Sequence, residues 1–291
     1  MTVHCVDDAK AALGEGALWD AKRNCIWWVD IKAPSLHVHE LATGANHVQP
    51  LDFRLTALGL APRGELVAAG DLGFVRLSVA PDLTVRTAAV LAQVDEPIGN
   101  RFNDGKVDAA GRFWAGTMDD AEAAARGSLY RFDTRGLARV RTDILVPNGP
   151  CFLADGTMLT TDTARSVIYA ITLDADGTPV AERVFATFSP DQGYPDGMTP
   201  DADNHVWVAF WDGWGLRRLS PDGRSVRELP LPVQRPTCPT FGGIGLDRLY
   251  VTSAATGLDA AARAAQPHAG GLLVLDPGVT GVATPSFIDW R

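Results

Sequence analysis

Six short apolar runs recur along the chain with starts 39 to 48 residues apart, and this period constrains the fold more than any other feature. The runs are 26–30, 65–69, 112–116, 157–161, 205–209 and 248–252. They are rich in Trp, Val, Leu, Ile and Thr, residues that suit a pleated, buried surface. Most are followed by a second strand-like run and a polar turn, as in Leu36 to Leu41 with Ala-Thr-Gly and Val167 to Leu173 with Asp-Ala-Asp-Gly. Asp108-Ala-Ala-Gly111 and Asp201-Ala-Asp-Asn204 read as tight hairpin turns ahead of their runs. A period of this length fits a four-stranded blade, so the expected fold is all-β, a six-bladed propeller. A two-sheet sandwich would not account for the period. Thr2 to Val6 is expected to join the last blade and close the ring, leaving no free sheet edge. The whole chain, 1–291, reads as one such domain.

Stretches with helical period are nearly absent. Asp119 to Arg126 and Asp259 to Gln266 are alanine-rich and short, and they read as loop turns rather than core helices.

The formal net charge of −9 and the lack of a basic cluster exclude nucleic acid and anionic membranes as expected partners. No apolar run approaches the roughly 20 residues that span a bilayer, and Met1 to Lys10 lacks the apolar stretch of a secretory signal. Cys5, Cys25, Cys151 and Cys238 are scattered without a C-x-x-C pair, so buried free thiols are expected rather than disulfides or a thiolate zinc site. The expected setting is a reducing cytoplasm. A closed ring buries its own core, so a monomer is expected.

Asn103, Asn148 and Asp196 each precede their apolar run by nine residues, and Glu15 precedes its run by eleven. Thr56 holds the corresponding place in the second repeat. Singly, each reads as a turn residue, since Asn-Gly and Asp-Gly pairs are common hairpin formers. Together, at equivalent places in a ring, they converge at the mouth of its channel. Two carboxylates there would repel one another unless a cation lay between them. Oxygen donors suit calcium, magnesium or manganese, and zinc also accepts carboxylates. None of the six histidines falls at a mouth position; His4, His37, His39 and His47 are expected on the surface. No Gly-x-Ser-x-Gly or phosphate-cradling loop is present. A cation with an open position favours ester or lactone hydrolysis, although the same oxygens could hold structural calcium.

Longer motifs carry a resemblance. Gly14-Glu15-Gly16, the run from Asn100 to Asp108 continuing to Ala115-Gly116-Thr117-Met118, Pro147-Asn148-Gly149-Pro150 and Tyr194-Pro195-Asp196-Gly197-Met198 occur in this order. With Gly127-Ser128-Leu129-Tyr130, Phe241-Gly242-Gly243 and Ala269-Gly270-Gly271, they make the chain resemble the SMP-30/gluconolactonase family over essentially its full length. The resemblance implies a six-bladed propeller. It implies one divalent ion on Glu15, Asn148 and Asp196, with Asp196 also accepting a proton, and Asn103 moved to the substrate side. Arg101 would bind sugar hydroxyls or the lactone. The family's lid glutamate aligns with Ala121, so Glu122 or Asp120 is expected to replace it. Tyr194, Trp211 and Trp214 would form a sugar-stacking wall, with blade packing the competing role for Trp211. The implied activity is metal-dependent hydrolysis of a small-molecule sugar lactone in carbohydrate oxidation. A calcium-binding propeller without catalysis and a broader esterase are the alternatives.

Overall fold

The computed structural model describes residues 2–288. Their strands form six four-stranded antiparallel sheets. Each of the first five sheets is made of four consecutive strands, and each opens with the strand nearest the axis: Gly14–Asp20, Leu55–Leu60, Asn100–Val107, Pro147–Phe152 and Tyr194–Pro200. The sixth begins with Pro236–Gly242 and takes its fourth strand, Val3–Asp7, from the other end of the chain. The six opening strands contact one another in sequence around a closed circle, which makes the molecule a six-bladed propeller. The expected closure is present: Val3 pairs with Leu275 and Cys5 with Leu273.

Burial grades outward from the axis. The second strand of the first blade, Cys25–Asp30, and that of the third, Phe113–Asp119, are buried along their whole length. Because blades pack on both faces, these strands read as continuous apolar runs without the alternation of a half-exposed sheet. Outer strands such as Asn46–Pro50 and Ser225–Pro230 are largely exposed. One apolar cluster fills each of the six junctions between neighbouring blades. Gly116 shows how tightly they meet, since a Cβ there would lie 2.6 Å from the Pro147 ring of the next blade.

An aspartate fastens the turn after the opening strand in alternate blades. In the fifth blade, Asp201 accepts backbone N–H bonds from Asp203 and His205, the indole N–H of Trp207 at 3.0 Å and the guanidinium of Arg218 at 2.7 Å. Asp108 does the same with Trp114 and Arg112, and Asp20 with Trp27 and Arg23. These buried carboxylates have nearly every lone pair satisfied, as burial requires.

Two expectations need correction. His37 and His39 are buried, not on the surface, because the third strand of the first blade, Ser35–Glu40, is sandwiched between blades. His37 stacks on Trp28 with ring centroids 3.9 Å apart, and burial lowers its pKa to about 4, so it stays neutral at physiological pH. The stretch Asp259 to Gln266 contains a real α-helix, Ala260–Ala265, capped by Asp259, whose carboxylate accepts the Ala262 N–H at 2.8 Å. It buries no residue and is not part of the core. Asp119 to Arg126 forms turns without a helix. Cys25, Cys151 and Cys238 are buried free thiols, and Cys5 is half-buried.

Candidate functional site

The opening strand of every blade carries a register shift near its start. It falls after Glu15, Leu55, Phe102, Asn148, Pro195 and Pro236. Such a bulge adds a residue on one strand, bends it and re-aims the side chains beside it. Glu15, Thr56, Asn103, Asn148, Asp196 and Thr237 stand at these bends, one from each blade. Gly16 follows Glu15 with φ of 63°, a left-handed conformation that glycine adopts without strain.

Glu15, Arg101, Asn103, Glu122, Asn148, Tyr194 and Asp196 line a single cavity of about 380 Å³ at this end of the channel. Trp211, Lys32, Met118 and Thr163 complete much of its wall. Two expected contacts lie elsewhere. Asp120 is not in the wall; it pairs with Arg101 Nε at 2.5 Å and with Arg54 at 2.9 Å, holding Arg101 from behind. Trp214 is also outside the wall and largely exposed. Trp211 borders the cavity and also packs against the cluster between the first and second blades.

The polar groups are wired to one another. Arg101 Nη1 donates to Asn103 Oδ1 at 2.7 Å, and Asn103 Nδ2 donates to Asn148 Oδ1 and to the Pro147 carbonyl, both at 2.9 Å. Asn148 Nδ2 donates to Thr163 Oγ1 at 2.9 Å, and that hydroxyl donates to the Pro195 carbonyl at 2.7 Å. Thr163 therefore links the Asn148 strand to the Asp196 strand. These bonds fix the amide of Asn148 and leave its carbonyl oxygen a second lone pair.

Beneath this layer lie Asp104 and Lys106. Asp104 is buried and accepts the Gly105 and Gly149 backbone N–H groups at 2.7 and 2.9 Å. Lys106 directs its ammonium to Cys238 Sγ at 3.7 Å. Burial, then the Asp196 and Asp104 charges, pushes the Glu15 carboxyl well above its usual range. Burial, then Asp104, does the same to Asp196. Burial also raises Asp104, with Lys106 opposing. For Lys106, burial alone would lower the ammonium, but Cys238, Asp104, Cys151 and Glu15 outweigh it and the pKa rises.

Asp196 Oδ1 is shielded from solvent and has no hydrogen-bond partner. An unpartnered carboxylate oxygen in a cluster of acids is costly. A hard divalent cation would satisfy it and neutralise the cluster, so Glu15, Asn148 and Asp196 fit such an ion as donors.

Two other places in the molecule gather a cavity or ligand atoms. A cavity of about 480 Å³ opens among the turns at the far end of the opening strands, lined by Leu58, Val107, Phe152, Leu153 and Phe241. It is roomier but mostly apolar, and the convergent donors are at the other mouth. Cys5, Asp8 and His268, beside the ring closure, bring ligand atoms within 4.8 Å of one another and form a group that could hold a metal ion.

Sequence reading missed Thr163, Lys32 and Met118, and gave Asp104 and Lys106 no role. Asp104 and Lys106 share a strand with Asn103, but alternation alone sets them on the opposite face from it, and the register shift between Phe102 and Gly105 was not legible in the sequence. Thr163 offered no signal, since a lone threonine after a strand is commonplace.

Residues 13–255 match the family described as SMP-30/Gluconolactonase/LRE-like region. The chain is 34% identical to 6-deoxy-6-sulfogluconolactonase of Pseudomonas putida over 98% of each chain. It is 36% identical to pentonolactonase XacC of Haloferax volcanii, over 97% of this chain and 96% of that one. The crystal structure of regucalcin from Agrobacterium tumefaciens, described as a calcium-binding protein, superposes with a TM-score of 0.92 at 31% identity, covering 99% of this chain and 98% of that one.

Proposed function

Because the chain belongs to the SMP-30/gluconolactonase family, we propose that it is a lactonase, hydrolysing the ring ester of a sugar lactone at the Asp196 end of its channel. The observation that carries this reading is the convergence of two buried carboxylates, one of them with an unpartnered oxygen, beside a guanidinium and an amide held ready for a ligand. A pure cation store would have no use for Arg101 and Asn103. Relatives named as lactonases support the same class of chemistry.

Glu15, Asn148 and Asp196 would hold the divalent ion, taken here as calcium, zinc, magnesium or manganese. When bound, such an ion polarises a carbonyl and acidifies water. The protein's own groups do the rest. Arg101, braced by Asp120 and Asn103, grips the lactone or its hydroxyls. Tyr194 and Trp211, which line the cavity, would wall the sugar, and Glu122, also in its lining, would take the part of the family's lid contact. Asp196 accepts a proton from the attacking water as the water oxygen bonds to the carbonyl carbon. The ring C–O bond then breaks, and the proton passes to the leaving ring oxygen, giving a hydroxy acid. We read all 291 residues as serving this one domain.

The test is acid release from a panel of aldonolactones in a pH-indicator assay, with chelator and after metal is restored. Turnover that disappears with chelator and returns with metal is expected. A second reading, cation binding without catalysis, is favoured by the likeness to the calcium-binding regucalcin structure. Tight calcium binding with no lactone opened by any metal form would establish that reading instead.

A further inference from the structure

We propose that Cys5, Asp8 and His268 form a second cation site, for a thiophilic divalent ion such as zinc, which fastens the closure of the ring. The three residues come from the two ends of the sequence. Cys5 lies in Val3–Asp7, the strand that completes the last blade, and Asp8 follows it; His268 lies in the loop that leads into Leu272–Leu275, the strand it pairs with. An ion held by all three would tie the closing strand to the blade through a second bond besides the ladder.

The geometry is nearly assembled. The ligand atoms lie within 4.8 Å of one another, with Cys5 Sγ 3.9 Å and His268 Nδ1 3.6 Å from Asp8 Oδ1. The second distance is too long for a hydrogen bond, and His268 Nδ1 is shielded from solvent with no hydrogen-bond partner. Cys5 Sγ also contacts the Asp7 carbonyl at 3.4 Å and is seated against the loop, since a Cβ at Gly271 would lie 2.9 Å from it. Zinc bonds sulfur at about 2.3 Å and nitrogen or oxygen at about 2.0–2.2 Å, so the atoms must draw in by about an ångström. The half-exposed side chains of Asp8 and His268 have the freedom to do so.

A cation already occupies this corner. Lys10 Nζ bonds Asp8 Oδ1 at 2.5 Å and the Pro267 carbonyl oxygen. The ion would displace that ammonium to solvent. The Cys5 S–H bond breaks as the sulfur–metal bond forms, and its proton leaves to water. One thiolate and one carboxylate then balance the double positive charge, with a neutral imidazole as third donor and water as fourth. The sulfur and nitrogen donors separate this site from the channel, whose oxygen donors suit a hard ion.

Cobalt(II) is the probe, because a thiolate ligand gives it a near-ultraviolet charge-transfer band that oxygen donors do not. Titration of the full chain in excess calcium is expected to give a saturable band at about one equivalent, displaced by zinc. Cys25, Cys151 and Cys238 are buried, so the band should vanish in Cys5→Ser. Asp8→Asn or His268→Ala should weaken cobalt by roughly ten-fold or more, and Lys10→Met should tighten it. Zinc should raise the melting temperature of the parent protein and leave that of Cys5→Ser unmoved. No thiolate band, a band that survives in Cys5→Ser, or an equal zinc shift in both proteins would overturn the proposal.

Discussion

In the proposed reaction Asp196 would do two things, hold a cation and take a proton, and its surroundings suit both. Its Oδ1 has no partner inside the protein, while burial and the nearby Asp104 push its carboxyl up. Asp196→Asn keeps the shape and removes the charge; we expect lactone turnover to fall by about 10³-fold, at the size typical of a lost general base. The same change should raise the melting temperature of the metal-free protein, since it removes a like-charge neighbour of Glu15. The pH-indicator assay checks the first effect and calorimetry in chelator the second. Thr163→Val tests the link that sequence could not reveal. It breaks the bonds to Asn148 and Pro195 and should weaken metal binding by roughly 10-fold or more, measured by titration. Glu15, Asn103, Asn148 and Asp196 were legible because a repeat turns offset into position. The placement of Asp120 was not: two aspartates and a glutamate crowd around Ala121, and only the folded turn decides that Asp120 pairs with Arg101 while Glu122 reaches the cavity.

At the scale of strands, the bulge in each opening strand is what makes the site. Without it the strict alternation of a strand would carry Asn103 and Asp104 to opposite faces. With it, Asn103 reaches the mouth and Asp104 the channel beneath. The aspartates behind the turns are a separate device for holding strand pairs together. Asp201→Ala would leave the Trp207 indole N–H and the Arg218 guanidinium without their buried acceptor. A loss of about 3 kcal/mol is expected from denaturant unfolding, the size seen when one partner of a buried pair is removed. The existence of the strands was readable from aromatic and β-branched runs. The burial of His37 and His39 was not, because a strand's own sequence does not say whether a second blade covers its outer face. Nor does a short alanine run say whether it will turn once more into a helix; Asp259 as cap decided that for Ala260–Ala265.

The whole ring concentrates charge on its axis, and its stability should respond to pH accordingly. Glu15 and Asp196 have folded-state pKa values raised above the ordinary 4.5 and 3.8. A raised carboxyl binds its proton more tightly when folded, so its contribution is fully present below the unfolded pKa and is lost as pH rises through the folded one. Metal-free protein should therefore melt at lower temperature as pH climbs from about 4 toward neutrality, and saturating calcium should abolish most of that slope. Melting curves in chelator and in calcium across this range give the answer; a slope untouched by calcium would place the cation elsewhere.

The last blade is stitched from both ends of the chain, Val3–Asp7 lying against Leu272–Leu275. During synthesis, Val3–Asp7 is made well before its partner and must wait for it. Some 265 residues separate them, and no other strand of the described chain pairs over such a distance. Five blades can assemble as they leave the ribosome, each from neighbours in sequence, but the circle itself is a late event. Until it happens, the exposed edge of Leu272–Leu275 is a vacancy that the same strand of another molecule could fill.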